Sequence, residues 1–197
     1  MKSSQAEDLI LDFKGPFKFT EGDNCLFESE FVSEEGIYLW TIHVPNAGKY
    51  YVYYIGETTA FGKRHREHFT HIVGLNYEIL DAKSASEGTV NKIWQGMWRD
   101  RSPGAVPDVI RLYSSLKTEV LDYLDIIEVF FAPTSLEKGI RKHLEGSIGY
   151  NLRYNHPDLK LFYPDDNHIG TKKEPLNRTL RIHLPTPIEG IDTRIKV

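Results

Sequence analysis

Tyr38 and Tyr54 close and open two short tripeptides, Gly36-Ile37-Tyr38 and Tyr54-Ile55-Gly56, with fifteen residues between them. Arg64 and His68 follow, and a residue and its fourth neighbour project from one helix face. A guanidinium is a planar fork of donors that matches the oxygens of a phosphate. An imidazole accepts and releases protons near neutral pH. Two phenols on neighbouring strands add hydroxyls that donate or accept. The same stretch, 62–71, holds Lys63, Arg64, Arg66 and three histidines against the single carboxylate Glu67. Residues of these types suit proton transfer beside a bound anion.

The two tripeptides, with Arg64 and His68 downstream, resemble the signature of the GIY-YIG nuclease family over roughly residues 36–151. The resemblance adds Glu137, in Ser-Leu-Glu-Lys-Gly-Ile-Arg, at the family glutamate, and Asn151, in Gly-Tyr-Asn, at the family asparagine. The gap between the tripeptides is longer than usual in the family, and residues 81–120 exceed its minimal core. The resemblance implies hydrolysis of phosphodiester bonds in DNA. Tyr38 is then the general base for water and Glu137 the ligand of Mg²⁺, with Mn²⁺ as a substitute. A hard cation is commonly held by one or two carboxylates plus waters and substrate oxygens. A free phenol titrates near 10, so Tyr38 needs a neighbouring cation to favour phenolate, or His68 to take its proton. Tyr54 would hydrogen-bond water or phosphate, and Asn151 would hold backbone. Lys63, Arg66, Lys172 and Lys173 are the expected phosphate contacts. A restriction-type role is the first expectation, ahead of a repair or mobile-element nuclease. An RNA-directed nuclease and a non-catalytic nucleic-acid-binding module on the same scaffold are the rivals. Double-strand cutting would call for a homodimer or two visits.

Each residue also has an ordinary structural reading. Tyr38 and Tyr54 alone are strand aromatics, and Arg64 with Glu67 is a solvated helix face. Glu137 alone is a first-turn residue favoured by the helix dipole, and Asn151 a helix-stop residue. Glu145 reads as a solvated carboxylate, and Trp40, Trp94 and Trp98 as core. His65, His68 and His71 share roughly one face, but a zinc site wants a fourth ligand.

Composition sets wider bounds. The net charge of −4 gives no overall basic footprint, so any nucleic-acid contact depends on the local island at 62–71. Cys25 is the single cysteine, which excludes an internal disulfide framework and leads to the expectation of a reducing, cytoplasmic setting. No apolar run is long enough for a signal peptide or a membrane span, so no membrane partner is expected.

The pattern that must position these groups reads as α+β. Alternating β-branched and aromatic residues predict strands at 37–44 and 49–58, joined across Pro45-Asn-Ala-Gly48 as a hairpin. Helical offsets follow from Phe61, and a third strand is predicted at 125–133 with a helix at 134–149 capped by Thr134 or Ser135. Short strands are predicted at 9–13, 17–20 and 179–184 and a short helix at 89–98, while 109–116 fits either helix or strand, with helix ahead. The expected architecture is a small, mostly antiparallel three-stranded sheet flanked by helices. It comprises an N-terminal extension (1–35), a core (36–151) with an insertion at about 81–120, and a C-terminal arm (152–197).

Overall fold

In chain order the strands are β1 (Leu9–Asp12), β2 (Lys14–Lys18), β3 (Gly36–Val44), β4 (Lys49–Thr58), β5 (Ile79–Leu80), β6 (Lys92–Trp94), β7 (Ile127–Pro133), β8 (Thr179–His183), β9 (Ile188–Glu189) and β10 (Arg194–Lys196). The helices are α1 (Phe61–Val73), α2 (Ala82–Ser86), α3 (Ala105–Ile126) and α4 (Lys138–Asn155). The computed structural model describes residues 8–20, 22–99, 105–159, 162 and 176–197. Lys172 and Lys173 lie outside the described residues.

The fold is α+β, and its central sheet is wider than three strands. The hairpin β3–β4 and strand β7 form the middle of a five-stranded sheet ordered β2-β7-β3-β4-β9. All its pairings are antiparallel except β4 with β9. The two added edges come from residues assigned by sequence to an extension and an arm. A short edge strand buries little, so its periodicity is weak even where its backbone completes a ladder. A second sheet, β1-β8-β10, ties the ends of the chain together through the parallel pair Leu9–Asp12 and Leu180–His183.

Strand β3 is buried along both faces because helices cover both. Ile37 and Leu39 face a core built with Leu144, Ile148 and Leu152 of α4 and with Leu9, Leu11, Leu180 and Ile182. Tyr38, Trp40, Ile42 and Val44 face the other core, with Phe61 and Ile72 of α1 and Leu116, Val120 and Tyr123 of α3. At about 25 cal/mol per Å² of apolar surface, these two layers are the main stabilising term. Helices α1 and α4 therefore lie on opposite faces of the sheet.

Local expectations change where tertiary context outweighs pattern. Residues 89–98 form no helix; Lys92–Trp94 is β6, antiparallel to β5. Gly88 and Gly96 bracket it with φ of 87° and 84°, leaving a segment too short to pass helix nucleation. Helix α3 starts at Ala105, four residues before its predicted start, and carries Pro107 in its first turn, where a missing N–H costs nothing. Glu137, not Thr134 or Ser135, occupies the N-cap of α4.

Candidate active site

Two glycines and one bulge put the phenols where they are. Gly36 lies against β7, where a Cβ would collide with the Ala132 carbonyl and come within 2.8 Å of the Phe131 ring. Gly56 is the cross-strand partner of Tyr38, and a Cβ there would collide with Tyr38 Cζ and its hydroxyl. Between Trp40 and Thr41 the register to β4 slips, pairing Trp40 with Tyr54 and Thr41 with Val52, so Tyr53 is the extra residue. Strict alternation would send Tyr53 and Tyr54 to opposite faces. The bulge turns both to the α1 side, which re-aims Tyr54 onto Tyr38. Their rings stack at 6.0 Å between centroids.

Helix α1 supplies the polar partners. Its first amides are taken by backbone carbonyls of the segment before β3, Phe61 N–H by Glu34 and Gly62 N–H by Val32, so the helix starts without a side-chain cap. Arg64 and His68, one turn apart, both reach the buried Tyr38 hydroxyl. His68 Nε2 lies 2.8 Å from it, and Arg64 Nε–H donates to it at 3.4 Å. Arg64 Nη1 also donates to Glu67, at 3.1 Å. Burial pushes the Tyr38 hydroxyl well above its ordinary pKa, aided by Tyr54 and opposed by Arg64, so Tyr38 rests as a neutral phenol. Tyr54 is raised as well, again by burial. His68 is pulled down to about 2 by burial and by the nearby Arg64 charge, so its imidazole rests neutral. His65 is neutral for the same first reason, at about 3. Its Nδ1–H donates to the Phe61 carbonyl, and its Nε2 accepts from the Trp40 indole at 3.1 Å.

Tyr38, Tyr54 and Arg64 line one side of a cleft of about 440 Å³, with His68 behind the Tyr38 hydroxyl. The cleft crosses the end of β4, which β9 pairs only at Tyr50 and Tyr51, so that among the described residues no strand pairs the edge from Ile55 to Thr58. There α1 walls the cleft on one side and α4 on the other. Lys63, Arg64 and Glu67 stand on the α1 side; Lys138, Lys142 and Glu145 stand on the α4 side. The Glu145 carboxylate accepts from the open Glu57 N–H. Desolvation raises its pKa to about 7, with the Glu57 charge adding to the rise and that hydrogen bond, Lys142 and Arg64 opposing it.

What aims α4 is Arg141, a guanidinium only 1% exposed. It binds the Glu35 carboxylate at 2.6 Å, Glu57 at 3.4 Å and the Leu136 carbonyl at 2.5 Å. Those contacts join the loop before β3, strand β4 and the start of α4, and they fix the roll of the helix one turn before Glu145.

Tyr38, Tyr54, Arg64, His68 and Lys63 thus come together. Glu137 does not join them: it is the exposed N-cap of α4 and is absent from the cleft lining. The cleft carboxylate of α4 is Glu145, which the sequence reading left as solvated. Asn151 is buried in α4 outside the cleft, and its Oδ1 has no hydrogen-bond partner among the described residues. Arg66 is exposed and outside the cleft, whereas Lys138 and Lys142, unremarked in the sequence, line it. Their signal was the i, i+4, i+7 spacing of Lys138, Lys142 and Glu145 along one helix stripe. Trp98, expected in the core, is 50% exposed and packs on His71 and Tyr77. Comparison with protein-family models, with curated proteins and with solved structures returns no match for this chain.

Proposed function

We propose that this chain is a metal-dependent endonuclease that hydrolyses phosphodiester bonds in DNA. One observation carries the reading. A buried phenol is held between a guanidinium and a neutral imidazole beside a cleft that also presents two lysines and one desolvated carboxylate on the opposite wall. In a pure binding surface, a carboxylate facing the phosphates would oppose affinity; in a hydrolase it has work at the metal.

Glu145, rather than Glu137, would hold the ion. A desolvated carboxylate with a raised pKa is an anion short of a cation, which fits Mg²⁺ or Mn²⁺. Among the described residues no group of three His, Cys, Asp or Glu is arranged to hold a metal. The fit is therefore to an ion that keeps water and substrate oxygens as its other ligands, as Mg²⁺ does, and not to zinc. Bound there, it would supply Lewis-acid stabilisation of the phosphoryl and leaving oxygens. Arg64, with one nitrogen on Tyr38 and one on Glu67, keeps donors for the scissile phosphate. Lys63, Lys138 and Lys142 hold the neighbouring phosphates. Tyr38, neutral at rest, takes the proton of the attacking water as its own passes to His68. Tyr54 hydrogen-bonds the water or the phosphate.

One cleft addresses one strand at a time, so a double-strand cut in one binding event calls for two copies on the duplex, and a restriction-type role fits such a pair. Among the described residues no helix is long and apolar enough to cross a membrane. Incubation of supercoiled plasmid with Mg²⁺ or Mn²⁺ tests the reading. The wild type is expected to nick or linearise it, Tyr38→Phe and Glu145→Gln to leave it intact, and Glu137→Ala to cut normally. Intact plasmid and intact labelled RNA with either ion would remove the nuclease assignment, and sedimentation on duplex separates monomer from pair.

A further inference from the structure

We propose that Tyr77 is the acceptor for Nδ1–H of a His68 whose tautomer is set by Tyr38 and Arg64, and the point from which the Tyr38 proton leaves the buried site. The catalytic half of this statement rests on the nuclease reading above; the tautomeric half does not.

The argument is a count of donors and acceptors. The Tyr38 hydroxyl is fully buried, and one of its neighbours, Arg64 Nε–H, can only donate to it. Of the two acceptors beside it, the Tyr54 hydroxyl and His68 Nε2, the hydrogen points to the stronger, the imidazole nitrogen 2.8 Å away. A neutral imidazole with a bare Nε2 carries its hydrogen on Nδ1. Nδ1 faces the Tyr77 hydroxyl at 3.0 Å, so the Tyr77 oxygen accepts. The other buried imidazole of α1 cannot substitute, because both nitrogens of His65 are engaged by Trp40 and the Phe61 carbonyl. Tyr77 is only part-buried, and its ring is held from the far side by Trp98 and His71, at 5.1 and 5.4 Å between centroids. A chain of phenol, imidazole and phenol thus runs from the cleft to a residue that meets solvent.

Proton movement along it balances at every atom. The oxygen of the attacking water bonds to phosphorus as one of its hydrogens passes to Tyr38 Oη. The Tyr38 hydrogen moves to His68 Nε2, the Nδ1 hydrogen moves to Tyr77 Oη, and the Tyr77 hydrogen leaves to water. The bond from phosphorus to the departing oxygen breaks, and that oxygen is protonated from solvent. Both tyrosines end neutral and His68 ends as the other tautomer, which returns by exchange along the same hydrogen bonds between turnovers. Burial makes a charged imidazole costly here, so arrival at Nε2 requires departure from Nδ1. Without an acceptor on Nδ1 the proton would have nowhere to go.

Tyr77→Phe removes the acceptor and keeps the aromatic ring. The first readout is the ¹⁵N chemical shifts of His68 in the free, metal-free protein. The wild type is expected to carry the proton on Nδ1, and the variant to keep it there with a displaced Nδ1 shift, because that hydrogen has lost its acceptor. The second readout is single-turnover plasmid cleavage with Mg²⁺, expected to fall roughly 10²-fold, the low end of the range for general acid–base groups, with DNA affinity within twofold of wild type. 3-Fluorotyrosine at position 77 keeps ring and hydroxyl and is expected to restore both the Nδ1 shift and most of the rate, which guards against a folding defect in the phenylalanine variant. A wild-type His68 protonated on Nε2, or Tyr77→Phe cleaving at the wild-type rate, overturns the proposal. If no form of the protein cleaves nucleic acid, the nuclease reading falls and with it the relay, while the ¹⁵N shifts still decide the tautomer.

Discussion

Gly56 lies directly across from Tyr38 in the β3–β4 ladder, and the Tyr38 ring occupies the space a side chain at 56 would need. The two tripeptides are therefore one packing unit: the glycine of the second makes room for the tyrosine of the first. Gly56→Ala must push the phenol away from His68 and Arg64. Overpacking of this kind costs about 1–3 kcal/mol, and misplacing a reacting group by about 1 Å costs about 10²-fold in rate. The expected outcome is a lowered melting temperature with cleavage down by at least that factor. Gly139→Ala is the control, since no atom lies within 4 Å of a Cβ there. In the first turn of α4 it is expected to stabilise by about 0.5–1 kcal/mol without loss of cleavage.

Glu145 gives a second prediction, in pH. Its folded-state pKa, about 7, lies above the ordinary value of 4.5, so between those values the folded protein binds more protons than the unfolded chain. The metal-free protein is therefore expected to lose stability as pH rises from 4.5 through 7, and Glu145→Gln to flatten that dependence. Metal binding runs the other way, because the ion must displace the proton. Below pH 7 the apparent Mg²⁺ affinity is expected to weaken by about tenfold per unit. Calorimetric titration of Mg²⁺ at pH 6 and pH 8 checks this; equal affinities would show that Glu145 is not the ligand.

The hairpin and the α1 pair are legible in the sequence because their information is local. Alternation marks β3, the four-residue offset marks Arg64 and His68, and the turn Pro45–Gly48 sets antiparallel pairing. The cleft carboxylate is not legible in that way. Glu137 and Glu145 differ by about 80° around a helix, and which of them meets the cleft depends on how α4 is rolled. That roll is set by Arg141 with Glu35 and Glu57, and by Leu144 and Ile148 in the second core, all contacts distant in sequence. The same holds for Tyr54, whose side of the sheet depends on a bulge at Tyr53 that no local pattern announces. The edge strands β2 and β9 escape notice because two to five half-buried residues carry almost no period.

Arg141 supplies a third prediction. Its charge is buried against two carboxylates of unequal exposure, Glu57 with a side chain 10% exposed and Glu35 with one 40% exposed. Arg141→Met leaves Glu57 uncompensated in a poorly solvated place, which costs about 3–5 kcal/mol by analogy with broken buried pairs. Glu35→Gln removes a contact whose acid end is solvated and is expected to cost at most about 1 kcal/mol. Urea unfolding separates the two. With the Arg141 charge gone, Glu57 also repels Glu145 more strongly, so the Glu145 carboxyl is expected to titrate higher than in the wild type, read by carbon-13 shifts. A smaller cost for Arg141→Met than for Glu35→Gln would mean that the ion cluster does not hold α4 in place.

The lysines of α4 make the last prediction, which concerns how a chain of net charge −4 holds a polyanion. Of the acids in the cleft lining, Glu67 is engaged by Arg64 and Glu57 by Arg141, so their fields are largely offset close by. Lys63, Lys138 and Lys142 are exposed on the two walls and set the local sign of the potential. Each phosphate neutralised on duplex DNA contributes about 0.9 to the slope of log affinity against log salt. Lys138→Ala and Lys142→Ala are each expected to reduce that slope by about 0.9 and to weaken binding similarly for all sequences. Arg66→Ala, on an exposed residue outside the cleft, is expected to leave the slope unchanged. Fluorescence anisotropy on a labelled duplex across a salt series, with Ca²⁺ replacing Mg²⁺ to suppress cleavage, measures all three. Equal slopes for the two lysine variants and the wild type would move the DNA track off α4 altogether.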